Sequence, residues 1–196
     1  VNATENEITS GSLATGDSIK SVEYTGGPVN VGTGTSTPSA AVIVDANGKD
    51  VTANYNITYS GAEVTVSKYS GEVVITAKDA TKPYDGSALT ASNDVTVSGL
   101  LGSDTVDATV SGEATVPGKD GTAKVDSYVI KNAAGEDVSG NYGNVKLTDG
   151  KLTVTKRDIT VTTGSASKAY DKTALTTKAD DYSITSGSLV SGQKLT

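Results

Sequence analysis

Apolar residues recur two positions apart along much of the chain. The clearest pairs are Val64 and Val66, Val73 and Ile75, Leu152 and Val154, and Ile159 and Val161. Successive side chains of a β-strand point to opposite faces of the sheet, so this period of two is typical of half-buried strands. Asn-Gly or Asp-Gly pairs at 47–48, 85–86, 120–121 and 149–150 supply the backbone conformations that tight turns need. The pattern predicts an all-β sandwich.

The chain repeats itself with a period of about 87 residues. ITSGSL at 8–13 recurs at 184–189, and a middle copy, VTVSGLLGSDTV, stands at 95–106. DVTANY at 50–55 matches DVSGNY at 137–142, and KPYDGSALT at 82–90 matches KAYDKTALT at 168–176. Repeats of this length are typical of arrays of small similar domains.

The repeat frame divides the chain into three segments. We predict a partial repeat without its first strand at 1–68, a complete repeat at 69–156 and the start of a further repeat at 157–196. The alternation changes parity near 68–70 and again near 156–158, and a one-residue slip turns every side chain of a strand to the other face. These breaks predict short linkers, and therefore an extended rod of tandem units.

Composition narrows the possible functions. The chain has 16 basic and 23 acidic residues and a formal net charge of −7, so no nucleic-acid partner is expected. His, Cys, Met, Trp and Phe are all absent, which excludes imidazole catalysis and thiolate metal sites. No apolar run approaches the roughly 18 residues of a membrane helix. We expect no enzyme activity, no catalytic residues, no cofactor and no metal.

Two segments carry a resemblance to a known family. These are VVITAKDATKPYDGSALT at 73–90 and ITVTTGSASKAYDKTALT at 159–176. They resemble the MBG/YDG repeats of bacterial cell-surface adhesins, and the resemblance covers nearly the whole chain. It implies tandem immunoglobulin-like β-sandwich domains, outside the cell and attached to the cell wall through other regions of a longer protein. A β-grasp-like unit is the alternative fold.

The family motif falls on matching positions of two repeats. Its residues are Lys82, Tyr84, Asp85, Gly86 and Leu89 in the first copy, and Lys168, Tyr170, Asp171 and Leu175 in the second. Lys172 stands where the first copy has Gly86, so the second turn cannot rely on glycine. We interpret the tyrosine as a packing residue and the aspartate as the closure of a turn. The alternative is that Tyr84 and Tyr170, with their neighbouring acids, bind sugars.

The DVxxNY segments contribute a second set of motif residues. They are Asp50, Asn54 and Tyr55 in the first copy, and Asp137, Asn141 and Tyr142 in the second. Tyr55 and Tyr142 are loosely similar to the tyrosine corner, in which the tyrosine hydroxyl makes a hydrogen bond with the backbone a few residues upstream. Two further hypotheses are a covalent bond between Lys82 or Lys168 and one of these asparagines, and a calcium loop at 45–50.

These observations predict a structural role. We expect stalk or spacer repeats of a bacterial surface adhesin that project a distal binding region from the cell wall. One alternative is that the repeats themselves bind host glycans or glycoproteins through avidity. Another is head-to-tail assembly, in which residues 157–183 of one chain complete residues 1–68 of the next by strand addition. A monomeric rod is the primary expectation.

Overall fold

The computed structural model describes residues 8–176 and 181–195, and almost all of their regular structure is β. This confirms the all-β prediction at the level of fold class. The strands are β1 (Ser18–Gly26), β2 (Gly32–Val44), β3 (Ala62–Val66), β4 (Tyr69–Ala77), β5 (Ala80–Pro83), β6 (Leu89–Thr90), β7 (Val95–Ser98), β8 (Thr105–Ser111), β9 (Glu113–Ala114), β10 (Gly121–Lys131), β11 (Tyr142–Thr148), β12 (Gly150–Thr155), β13 (Thr160–Thr163) and β14 (Tyr182–Ser186).

Helical structure within the described ranges is limited to two short 3₁₀ turns. They span Thr52–Asn54 and Ser139–Asn141. Across these ranges, no helix has the length and apolar character needed to cross a membrane.

The chain divides into two compact units. Unit 1 comprises residues 1–70 together with 140–143, and unit 2 comprises residues 71–139 and 144–196. Residues 157–196 thus group with the middle of the chain. The division into repeats at 1–68, 69–156 and 157–196 stays a prediction.

Unit 1 contains one antiparallel sheet with the strand order β1-β2-β3. β2 pairs with β1 along most of its length and with β3 through its first residues, from Gly32 opposite Val66 to Ser36 opposite Ala62. The β1–β2 ladder shifts register twice, between Ile19 and Glu23. Within the described part of the chain, β3 is therefore an edge strand.

Most of the strands lie in unit 2, where two larger sheets have the orders β5-β12-β10-β8 and β11-β4-β7. Two small pairs, β6-β9 and β13-β14, accompany them. The pairing of β5 with β12 is parallel, with Ala80 opposite Leu152 and Pro83 opposite Thr155. An antiparallel pair can be joined by a tight hairpin, but a parallel pair cannot, so β5 and β12 are separated by most of the unit.

The core of unit 2 is built from the alternating residues that the sequence singles out. Val73 and Ile75 of β4 and Leu152 and Val154 of β12 are all buried, and so is Ile130 of β10. The first two come from one large sheet and the other three from the second, so both sheets contribute to the core. No polar or charged side chain of the described residues is buried, so the core is entirely apolar.

Candidate functional site

The KPYDGSA segment of the family motif folds into a closed loop around Lys82. The Lys82 ammonium donates to Asp85 Oδ1 at 2.8 Å, to Ser87 Oγ at 2.8 Å and to the Ala88 carbonyl at 3.1 Å. Asp85 Oδ1 also accepts from the backbone N–H of Ser87 at 2.9 Å. The hydrogen bond from Lys82, followed by those from Ser87, holds the pKa of Asp85 well below its usual range. The aspartate closes the turn, as the sequence predicts.

The second copy of the motif makes the same contacts. Lys168 donates to Asp171 Oδ1 at 2.8 Å, to the Thr173 hydroxyl, and to the Ala174 carbonyl at 3.2 Å. The hydrogen bonds from Lys168 and Thr173 lower the pKa of Asp171. Because every contact lies within six residues of the lysine, the loop forms from local sequence alone. This explains why two copies with different neighbours adopt it.

The motif turn requires a left-handed backbone at its centre. Gly86 has a φ of 83°, and Lys172 at the matching position has a φ of 67°. This conformation costs residues with a Cβ roughly 1–2 kcal/mol relative to the right-handed helical region. The second copy therefore adopts the glycine conformation without the glycine.

Exchanging these two residues gives a reciprocal prediction. Gly86→Lys is expected to destabilise its loop by at least about 1–2 kcal/mol, because the added side chain also crowds Val190. Lys172→Gly is expected to stabilise its loop by up to about 1 kcal/mol. Hydrogen exchange at the amides of Ser87 and Thr173, which both donate to the motif aspartates, measures the two effects separately. If the exchange rates of the two amides changed in the same direction in both variants, the left-handed backbone assigned to positions 86 and 172 would be contradicted.

Tyr84 lies beside an open groove of about 390 Å³. Its backbone N–H donates to the Thr155 carbonyl at the end of β12, and its hydroxyl accepts from Gln193 Nε2 at 3.0 Å. The groove is lined by Tyr84, Pro117, Lys156, Arg157, Ile159, Ser188, Leu189, Val190 and Gln193. Tyr84 thus connects the motif of one predicted repeat to a turn of the next.

The same turn approaches the centre of the motif loop. A Cβ added to Gly86 would lie 2.6 Å from Val190 Cγ1. Arg157 donates to Ser188 Oγ at 2.6 Å, which ties the predicted linker to this turn. The glycine therefore serves both the backbone conformation and the close approach of Val190.

Tyr170 has a different environment from its counterpart Tyr84. Its side chain is 89% exposed, whereas Tyr84 is partly buried. Leu175 is likewise exposed, whereas Leu89 pairs with Ala114 as part of β6 and is partly buried. The two motif copies share local geometry but not tertiary surroundings.

The aspartates of the DVxxNY segments open the two 3₁₀ turns. Asp50 Oδ1 accepts from the Thr52 N–H, and Asp137 Oδ1 accepts from the Ser139 N–H, both at 2.9 Å. Hydrogen bonds from these hydroxyl residues lower the pKa of both carboxyl groups. The side-chain hydroxyl of Thr52 accepts a hydrogen bond from the amide of Ile43, and that of Ser139 accepts one from the amide of Ile130. These residues fix a turn against its strand.

The comparison of Tyr55 with a tyrosine corner is wrong about the hydrogen-bond partner of the Tyr55 hydroxyl. The Tyr55 hydroxyl accepts from the Ala14 N–H at 3.0 Å and donates to Asp17 Oδ2 at 2.5 Å. Both partners lie about 40 residues upstream. The hydrogen bond to Asp17 raises the pKa of Tyr55. The Tyr55 hydroxyl therefore makes a tertiary contact and not the local bond of a tyrosine corner.

The corresponding tyrosine of the second copy has a different environment. Tyr142 is buried and packs edge-on against Tyr69, with ring centroids 5.8 Å apart.

Both lysines and one asparagine of the hypothesised Lys–Asn bonds make hydrogen bonds with other groups. Lys82 and Lys168 direct their hydrogen bonds into their own loops. Asn141 accepts from the Val31 N–H and donates to Asn30 Oδ1, both at 2.8 Å, while Asn54 is an exposed residue at the end of a 3₁₀ turn. This geometry supports turn and packing roles for the asparagines.

The loop suggested for calcium is a backbone turn. Asp45 Oδ1 accepts from the N–H groups of Asn47 and Lys49, both at 2.9 Å. In the second copy, Asn132 Oδ1 accepts from the N–H groups of Ala134 and Glu136 in the same way. An amide oxygen replaces the carboxylate without changing the turn, so hydrogen-bond acceptance, not charge, is what this position needs. Nowhere in the described ranges do three His, Cys, Asp or Glu residues cluster as metal ligands would.

Sequence reasoning missed the partners of Tyr84. Val190 and Gln193 belong to a segment recognised only as a repeat of 8–13 and its continuation. No signal within the motif points to them, because Gln193 lies 109 residues from Tyr84. No protein-family model, curated protein or solved structure matches the chain. The resemblance to MBG/YDG repeats therefore rests on the motif residues and stays a prediction.

Proposed function

We propose that the chain forms spacer units in the stalk of a bacterial surface adhesin. Each repeat would be an immunoglobulin-like β-sandwich, and successive units would form an extended rod. The rod would project a distal binding region from the cell wall, outside the cell. The proposed role is mechanical and requires no catalysis or cofactor.

The observation that carries this proposal is the parallel pairing of β5 with β12. β5 lies near the beginning of the predicted middle repeat and β12 at its end. β5 follows β4, the first strand of that repeat, after only two residues. A unit in which an early strand and the last strand run in the same direction can receive the chain at one end and release it at the other. Domains connected in this way can be joined in series with short linkers, which is the arrangement a spacer needs.

The contacts of Tyr84 support a stiff joint between repeats. They lie where β12 ends, because the Tyr84 N–H donates to the carbonyl of Thr155. Gln193 and Val190 approach this point from the following segment. A hydrogen bond and an apolar contact beside a short linker would restrict bending between consecutive units.

The charge of the chain suits an array exposed to solvent. Acidic residues exceed basic ones, and the buried side chains of the described residues are all apolar. A net charge of this size favours solubility and opposes non-specific association. Arrays of such units derive their stability from each unit plus its contacts with its neighbours.

Glycan binding by the repeats is the second candidate. The groove beside Tyr84 favours it, because aromatic and polar side chains line the same open surface. Against it, the Tyr84 hydroxyl already accepts a hydrogen bond from Gln193, and the corresponding Tyr170, which is 89% exposed, does not line this groove.

A binding screen separates the two functions. The chain is displayed at high density against host glycans, mucins and matrix proteins, with Tyr84→Ala and Tyr170→Ala as matched variants. The spacer proposal predicts no reproducible binding in any of the three. Binding that is lost in a folded Tyr84→Ala protein and kept in Tyr170→Ala would overturn it in favour of a glycan site.

A further inference from the structure

β5 is the outer strand of its sheet in unit 2. In the order β5-β12-β10-β8, the strand beside it is β12. The two strands run parallel through four partner pairs, from Ala80 opposite Leu152 to Pro83 opposite Thr155. A pull on β5 along its own axis is therefore resisted mainly by this one ladder.

Hydrogen bonds extend the ladder beyond its four partner pairs. Before β5 begins, Asp79 Oδ1 accepts from the Lys151 N–H at 2.6 Å. After β5 ends, the Tyr84 N–H donates to the Thr155 carbonyl at 2.9 Å. The bonded stretch thus comprises residues 79–84 on one side and residues 151–155 on the other.

β12 is fixed to the rest of the sheet. Its second edge pairs with β10, from Gly121 opposite Leu152 to Ala123 opposite Gly150. Its inner face is also anchored, because Leu152 and Val154 are buried in the core. Of the two strands, β5 is thus the one that a pull would detach, and the β5–β12 ladder opposes this.

Tension along the chain loads this ladder in shear. Only residues 78 and 79 separate β5 from β4, so tension that enters through β4 is transmitted to the beginning of β5. Tension leaves from the end of β12, at Lys156. Because the strands are parallel, the two pulls act in opposite directions along the ladder. Its evenly spaced hydrogen bonds then carry the load together, whereas strands that are pulled apart from one end lose their bonds one after another.

We propose that residues 79–84 and 151–155 form a force-bearing clamp, which keeps the predicted middle repeat folded when the chain is under tension. The clamp goes beyond the spacer role, because a spacer requires length and a clamp requires resistance to a pull. It rests on the proposed stalk only for the origin of the load. The response to load is measured on the chain itself, so the clamp can fail while the chain remains an extended spacer.

Single-molecule pulling in two geometries tests the clamp, with handles attached to engineered cysteines because the chain contains no natural one. The shear pair, Lys78→Cys with Lys156→Cys, places the handles before β5 and after β12. The control pair, Lys78→Cys with Asp149→Cys, places both handles at the beginnings of the two strands and therefore peels the ladder from one end. All three positions are solvent-exposed.

The shear pair is expected to unfold at the higher force. At the same loading rate, its mean unfolding force should be at least about twice that of the control pair, because forced unfolding is governed by the unfolding barrier. Both double variants must first show the circular dichroism spectrum of the unmodified chain. Equal forces, or a higher force for the control pair, would overturn the proposal.

Substitution of Asp79 provides the second test. In the shear geometry, Asp79→Ala is expected to lower the mean unfolding force, because it removes the acceptor of the Lys151 N–H. Asp79→Asn keeps an oxygen acceptor at this position and should retain most of the force. An unchanged force in Asp79→Ala, or an equal loss in both variants, would overturn the extension of the clamp to Asp79.

Discussion

Ile75→Ala is expected to lower the free energy of unfolding of unit 2 by about 2–5 kcal/mol, because it opens a cavity in a closed apolar core. The Ile75 side chain is fully buried on β4, as is that of Val73, two residues earlier on the same face of the strand. Urea denaturation followed by circular dichroism measures the change as a lower midpoint with a similar slope.

Val161→Ala is the matched control for this prediction. Val161 occupies the position of Ile75 in the next copy of the repeat, but its side chain is exposed. Truncation there should change the free energy of unfolding by no more than about 0.5 kcal/mol at protein concentrations where the chain is monomeric. Similar losses in the two variants would mean that both copies bury this position, in conflict with the structure.

Tyr84→Ala is expected to accelerate trypsin cleavage at Lys156 and Arg157 by roughly 3- to 10-fold. The substitution removes the hydrogen bond from Gln193 and the ring that lines the groove beside these two residues. Losing a contact of about 1 kcal/mol raises the population of the locally open linker by about fivefold, and cleavage follows that population when opening is fast. Mass spectrometry of the fragments identifies the cleaved bonds.

Tyr170→Ala is the matched control for the predicted effect of Tyr84→Ala on trypsin cleavage. It removes the same residue type from the same motif, but the Tyr170 side chain is 89% exposed and does not line the groove beside Lys156 and Arg157. Cleavage at Lys156 and Arg157 should therefore stay at the wild-type rate. Equal acceleration in both variants would show that Tyr84 affects the linker through the motif loop and not through Gln193.

The parts of the fold that depend on local pattern could be predicted from the sequence. The alternation of Val73 with Ile75 and of Leu152 with Val154 predicts strands whose inner faces are buried, and the structure buries all four. Asp85 closes its turn because its partners, Lys82 and Ser87, are neighbours in the sequence. Short-range hydrogen bonds of this kind need only residue type and spacing.

The remaining features depend on distant residues. Tyr55 meets Ala14 and Asp17, and Tyr84 meets Gln193 across more than 100 positions, so spacing within one motif cannot identify either partner. Likewise, Ile75 and Val161 have equivalent sequence surroundings but opposite exposure. Burial depends on whether a second sheet covers the position, and the sequence of the strand does not contain that information.

Small-angle X-ray scattering tests the central claim, an extended rod of spacer units, most directly. The unmodified chain is measured over a dilution series, and the curves are extrapolated to zero concentration so that association cannot lengthen the particle. We predict a radius of gyration above about 25 Å, compared with about 16 Å for a compact domain of the same length. A radius near the compact value, in a protein that circular dichroism shows to be folded, would contradict the spacer account.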